Sequence, residues 1–243
     1  MFPYTHICFA NDVLGKISDE IILGAVFPDT IIAGFLEHST AHNQAPALHR
    51  YLNGLSVLGD FSMAVITHST TPRGLDYYCD EKYLDYEKGY AFEMARPLVE
   101  KVIKSCNLPQ EMGWWKAHNF IEMAADVWLY EKRPEFHGGL KKALNNQTLV
   151  LAISQVLAPF FDVPAAKLAM SFPIYGEYVP TGEITPVELA TKYGKQTAKK
   201  HGITIDIMAA ASVIEEAVDI VESSFPAFIN HCQQNVAELL KKL

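Results

Sequence analysis

The stretch Trp114-Trp-Lys-Ala-His118-Asn-Phe-Ile-Glu122-Met-Ala-Ala-Asp126-Val-Trp-Leu-Tyr130 decides how this chain is read. His118, Glu122 and Asp126 stand at i, i+4 and i+8. On an α-helix that spacing stacks them on one face, with successive Cβ atoms about 5–6 Å apart. The positions between them (Phe120, Ile121, Met123, Ala124, Ala125, Val127 and Trp128) are apolar on nearly every side. A helix apolar all round is buried, and it carries its polar residues inside with it. A buried, unpaired carboxylate is costly. A divalent cation held by imidazole and carboxylate removes that cost. A solvated stripe, or a hydrogen-bonded structural His–Glu pair, is the plainer alternative.

Working outward, the 3.6-residue period recurs over 7–17, 83–105, 186–200 and 206–243, and few segments alternate as strands do. The expected fold is all-α, a multi-helix metal-binding bundle. Thr185-Pro186-Val-Glu188 orders a cap, a first-turn proline and a third-position glutamate as a capping box does. Ser18-Asp19-Glu20 places acids in a first turn, where the helix dipole favours them. Pro226 is expected to end or kink the last helix. Residues 171–185 hold Pro173, Gly176, Pro180 and Gly182, with Tyr175 and Tyr178 between them. They read as a loop, either a connection or a lid, between a body over 1–170 and a C-terminal portion over 171–243. The helices of that portion carry Ile207, Ala210, Val213, Ile214, Ala217 and Ile220 near one side. They are expected to pack on the body or on a second chain, as in a homodimer.

Composition narrows the function. With 243 residues, 49% of them apolar, the chain can bury a sizeable core. Cys8, Cys79, Cys106 and Cys232 lie far apart with no CxxC pair, which argues against a zinc finger, an iron–sulfur site or a disulfide scaffold. Isolated thiols of this kind suit a reducing compartment. No signal peptide is read at the N-terminus, and the longest apolar-rich run, 149–161, is too short and too interrupted to span a bilayer. A cytoplasmic location is expected. The net charge of −8 disfavours a protein that wraps nucleic acid. There is no Walker loop, GxGxxG, GxSxG or HExxH motif. An HD-type phosphohydrolase needs an adjacent His-Asp pair and a ferritin-like di-iron protein needs Glu-x-x-His; the chain contains neither.

Further ligand types fall in apolar surroundings. His6 lies in the opening segment Thr5-His-Ile-Cys-Phe-Ala-Asn-Asp-Val-Leu14, and Asp29 ends Gly24-Ala-Val-Phe-Pro-Asp29. His38 and His42 are four apart in Glu37-His-Ser-Thr-Ala-His42. His68 closes an apolar helix, and Asp76 follows in Thr71-Pro-Arg-Gly-Leu-Asp76. His137, His201 and His231 read as surface or loop residues, and His49 is ambiguous.

The ordered set formed by Pro3-Tyr-Thr-His6, Gly24-Ala-Val-Phe-Pro-Asp29, His68 at a helix end and His118-x-x-x-Glu122-x-x-x-Asp126 resembles the bacterial zinc-dependent phospholipase C family, related to the fungal single-strand nucleases. It covers roughly the first 130 residues. It implies an all-helical fold and a metal cluster in which His6, Asp29, His68, His118 and Glu122 occupy ligand positions. The family's central HxxxDxxxH segment is altered here to His68-Ser-Thr-Thr-Pro72-Arg-Gly-Leu-Asp76, so either Asp76 ligates in place of the histidine or one metal is missing. The family's N-terminal amine ligand is expected to be absent behind Met1, and His38 and His42 are candidates to compensate.

The chemistry this implies is hydrolysis of a phosphate ester, a phosphodiester or phospholipid-like compound, by a water activated on zinc, iron or manganese. Asp29 and Asp76 would combine ligand and base. Arg73 would clamp a phosphate oxygen or stay an exposed turn residue, Asp126 would orient the metal ligands from behind, and Tyr77 and Tyr78 would line the pocket or simply pack. The acidic charge favours a soluble phosphoester over an intact lipid surface. The competing expectation is a non-catalytic helical binding or scaffold protein with a structural or vestigial metal.

Overall fold

The computed structural model describes residues 2–243, and every described element is helical, with no strand. The helices are α1 (Pro3–Leu14), α2 (Asp19–Val26), α3 (His38–Asn43), α4 (Ala45–Leu55), α5 (Gly59–His68), α6 (Tyr90–Met94), α7 (Val99–Ser105), α8 (Gly113–Lys132), α9 (Gly139–Asn145), α10 (Gln147–Phe161), α11 (Ala165–Tyr178), α12 (Pro186–His201) and α13 (Ile207–Leu240). Two short turns matter for the site: a 3-10 turn over Phe27–Ala33 and a π-turn over Tyr77–Glu81. No described helix is long and apolar enough to cross a membrane.

Helix α1 is the axis of the body. Pro3 through Ala10 are buried without interruption, and the helix touches α2, α5, α8 and α13. Helix α8 supplies the other central rod, buried from Phe120 to Val127 and packed along α13. Between α2 and α5 the backbones nearly touch at Gly24, where an added Cβ would meet the Phe61 carbonyl oxygen at 2.4 Å. Only glycine permits that approach, and it seats the last turns of α2 against α5 along Phe61 and Ala64. Ser18 caps α2 through Ile21 N–H, and Thr185 caps α12 through Glu188 N–H, as the start signals predict.

Two expectations are corrected and one alternative is removed. Residues 171–178 are not loop: α11 runs through Pro173 to Tyr178, because Leu168, Phe172 and Tyr175 form one buried face against α10 and the Asp29 turn. That tertiary burial outweighs the proline's missing N–H, and the open connection shrinks to 179–185. Of the two outcomes expected at Pro226, termination does not occur: α13 continues to Leu240 with Phe225, Phe228 and Cys232 buried around and beyond it. The helix expected over 83–105 is instead two short helices joined by a 3-10 turn at Arg96–Leu98. Leu84 takes a left-handed φ of +47° and Pro97 removes an amide mid-segment, so the helix neither starts at 83 nor runs unbroken to Ser105. The C-terminal face with Ala210, Val213, Ile214 and Ala217 is buried within the chain, where α13 packs along α8 and α12.

Candidate metal centre

The site forms where α1, α3, α5, the Asp29 turn and the Asp76 segment converge. Each histidine arrives oriented. His68 ends α5, and its Nδ1 donates to the Ala25 carbonyl at 2.6 Å across the Gly24 contact. A carbonyl only accepts, so Nδ1 carries a proton, and once Nε2 gives up its own proton the ring presents a lone pair there. His42 repeats the device within α3, its Nδ1 donating to the His38 carbonyl at 3.1 Å. The His42 carbonyl in turn receives the amides of Thr70 and Thr71, tying α3 to the segment that leads to Asp76. Gly74 lets that segment fold onto the end of α5, since a Cβ there would stand 2.5 Å from the Ile66 carbonyl oxygen. His6 comes from α1 and stacks on His68, the rings 3.6 Å apart and 8° from parallel.

These nitrogens meet two carboxylates. Asp76 Oδ1 lies 3.3 Å from His6 Nε2, and Asp76 Oδ2 lies 3.0 Å from His68 Nε2 and 3.6 Å from His42 Nε2. Asp29 Oδ1 lies 3.6 Å from His42 Nε2 and 3.9 Å from His68 Nε2. Ligands about 2.0–2.2 Å from a tetrahedral zinc stand roughly 3.3–3.6 Å from one another. The observed spacings bracket that value. Two trios of potential ligands result, His6/His68/Asp76 and Asp29/His42/His68, sharing His68, while Asp76 reaches histidines of both. The donor set, imidazole and carboxylate with Nδ1 oriented by backbone carbonyls, is that of a divalent-cation site. His6 Nδ1 and Nε2 and His68 Nε2 are buried and make no directed hydrogen bond.

The electrostatics fit an inward-facing charge cluster. Burial, with the His68 charge beside it, pushes His6 down to about 3 and leaves it neutral. Burial opposes charge on His68 too, but Asp76 and Asp29 outweigh it and raise its pKa. Burial alone would raise Asp76 and Asp29, yet the surrounding histidines hold both carboxyls low.

A third trio lies farther along the same cleft. Cys79 and Asp80 come from the π-turn and Glu122 from α8, with ligand atoms within 4.8 Å of one another. The Cys79 thiol is held protonated by burial and donates to Glu122 Oε1 at 3.4 Å. Burial and the nearby Glu122 raise Asp80 well above the carboxylate range, and its Oδ1 makes no hydrogen bond. Two such carboxyls share a buried space only with a proton or a cation between them.

Five of the eight ligands expected from the sequence, His6, Asp29, His42, His68 and Asp76, come together, and Glu122 joins the third trio. His118 lines the cleft but belongs to no trio; it stacks on Phe92 at 4.2 Å, with Nε2 2.6 Å from the Asn119 amide nitrogen. His38 is exposed on the cleft wall and stacks on His42 at 4.0 Å, contributing its carbonyl rather than its ring. Arg73 stands outside the cleft lining, exposed and 4.7 Å from the Tyr77 ring centroid. Tyr77 and Tyr78 also pack outside the cleft lining, edge to face against one another. The N-terminal amine falls on Met1, outside the described residues. His49 is satisfied by Ser62 and Asn53.

Asp126 does its work one layer behind. Phe2 cannot cap α1 and Pro3 has no amide, so the helix start depends on partners elsewhere. The fully buried Asp126 carboxylate accepts Tyr4 N–H at 3.0 Å, Thr5 N–H at 2.8 Å and the Thr5 hydroxyl at 2.6 Å. It caps α1 from α8 and so sets where His6 stands. Burial pushes its pKa up to about 7 against those donors.

Asp80 and Cys79 were not identified from sequence. Asp76 and Asp80 carry the same four-residue spacing as His118 and Glu122, but the tyrosine-rich 77–81 segment shows no helical period to set it against. The whole cleft measures about 660 Å³ and includes Asp29, Asp76, Asp80, His118 and Glu122 among its lining residues. Comparison with protein-family models, curated proteins and solved structures gives no significant match.

Proposed function

We propose that this chain is a metal-dependent phosphoric ester hydrolase that holds a cluster of divalent cations, zinc being the ion best matched to the ligands and iron or manganese the alternatives. The observation that carries this reading is the Asp76 carboxylate set among His6, His42 and His68, with Asp29 bordering both His42 and His68. The ordered likeness of its motifs to the zinc-dependent phospholipase C family supports the same reaction class. When bound, such ions supply Lewis-acid charge to a phosphoryl group and lower the pKa of water toward neutrality.

The chain's own residues divide the remaining work. Asp76 is nearly enclosed, its side chain 7% exposed, and suits a holding role. Asp29 is 29% exposed and faces the cleft, where it can accept a proton from attacking water. The Tyr175 hydroxyl is buried, unpartnered and part of the cleft lining. Burial, with Asp29 nearby, holds it protonated, so it is free to donate to a phosphoryl oxygen. A purely structural metal would sit in a closed shell, whereas here a ligand carboxylate opens onto a substrate-sized space.

The test is elemental analysis of the full-length protein after dialysis, paired with release of p-nitrophenol from p-nitrophenyl phosphate and its diester. Two or more equivalents of metal, with turnover lost to chelator and restored by zinc, are expected. Asp29→Asn should lower kcat about 100-fold or more. A folded protein that takes up no metal from excess zinc would refute the centre, and a loaded protein inert toward both esters would refute the activity.

A further inference from the structure

The far wall of the cleft is basic, although the chain carries a net charge of −8. Lys116 belongs to α8, is 7% exposed and lines the cleft. Its ammonium lies 4.0 Å from the Trp115 ring centroid and makes no hydrogen bond or ion pair among the described residues. Lys200, exposed near the end of α12, lines the same cleft and is close enough for the two like charges to oppose one another. His201 and Gln196 complete this side.

A lysine this little exposed and without an acid partner is rare, and a second lysine in the same cleft adds a like charge. Packing alone would be served by methionine or leucine at 116. Both residues line the cleft without a carboxylate partner among the described residues, so together they offer positive charge to an anion there. Neither lysine is paired with the carboxylates of the His6/His68/Asp76 and Asp29/His42/His68 trios. A cleft of about 660 Å³ has room for a ligand much larger than one phosphate.

We propose that Lys116 and Lys200 form a subsite for a second phosphate on the substrate, so that the chain prefers a phosphate ester bearing a further phosphate over one bearing a single phosphate. This rests on reading the cleft as a phosphoester site. The reacting phosphate faces the His/Asp floor, while the second phosphate reaches the ammonium groups on α8 and α12, with the Trp115 ring holding the Lys116 head in place.

The experiment compares propyl phosphate with 1,3-propanediol bisphosphate, a pair that differs by the second phosphate, using the zinc-loaded full-length protein. Affinity is read by calorimetry and hydrolysis by phosphate release. The bisphosphate should bind about tenfold more tightly. Lys116→Met and Lys200→Gln should each reduce that ratio, the double variant should bring it close to one, and added salt should shrink it in the native chain. Lys200 is exposed, so Lys200→Gln reports even where Lys116→Met disturbs folding. Equal affinities in the native chain, or a preference that survives both substitutions, would overturn the subsite. Turnover with no preference defeats the subsite alone. A lysine-dependent preference without turnover upholds the subsite and defeats the hydrolase reading instead.

Discussion

Replacing Asp126 with alanine tests how the site is held from behind. The carboxylate is fully buried and accepts three hydrogen bonds from the first turn of α1, at 3.0, 2.8 and 2.6 Å. Alanine leaves those donors buried and unpaired, at about 1–3 kcal/mol each, or roughly 6 kcal/mol together. It also removes a carboxyl that burial disfavours, which returns roughly 3 kcal/mol. The net loss is about 3 kcal/mol, and for a chain of this length that lowers Tm by about 10 °C. The pH dependence has a definite sign. The folded pKa of about 7 lies above the ordinary 3.8, so the stability linked to this group is full at low pH and falls as pH rises through about 7. The gap between native and Asp126→Ala chains should therefore be wider at pH 5.5 than at pH 8. Thermal unfolding followed by circular dichroism at both pH values measures it. Thr5→Val, which deletes one of the three bonds, should cost about 1 kcal/mol. Metal content should drop with Asp126→Ala because α1 carries His6. A Tm change under 3 °C, or a gap that widens with rising pH, would refute the capping role.

His68 belongs to both neighbouring trios, so His68→Asn should remove about two equivalents of metal where His6→Asn or His42→Asn removes about one; equal losses in plasma mass spectrometry would contradict the shared ligand. His68 and Asp80 both have raised pKa values and must be deprotonated to ligate, so zinc binding should release protons and weaken as pH falls from 8 to 6. Calorimetry in buffers of different ionisation enthalpy reads that release, and none at pH 6 would count against these ligands. Gly74→Ala drives a Cβ to 2.5 Å from the Ile66 carbonyl oxygen and 2.7 Å from that of Ser69, so a loss of about 2–3 kcal/mol and weaker metal retention are expected. An unchanged urea midpoint would show that the segment carrying Asp76 yields freely.

The all-helical class was legible in the sequence because helix formation is periodic and local. The 114–130 pattern becomes α8, and Ser18 and Thr185 cap where their neighbours predict. Most members of the His/Asp cluster were legible as well, since a histidine or aspartate in an apolar run is conspicuous without a fold. What neighbours along the chain cannot report is which face meets which. His118, Glu122 and Asp126 share one helical stripe, yet His118 stacks on Phe92, Glu122 meets the π-turn and Asp126 caps α1. The cleft wall formed by α11 was hidden for a related reason, because Pro173 looks like a break until α10 and the Asp29 turn bury the face around it. The basic wall lay in two lysines 84 positions apart, on helices that only packing brings together. Spacing within a helix is set by bonds between near neighbours, and the sequence determines it alone. The meeting of His6, His42, His68, Asp29 and Asp76 depends on contacts such as Gly24 against Phe61, and only the tertiary structure decides those.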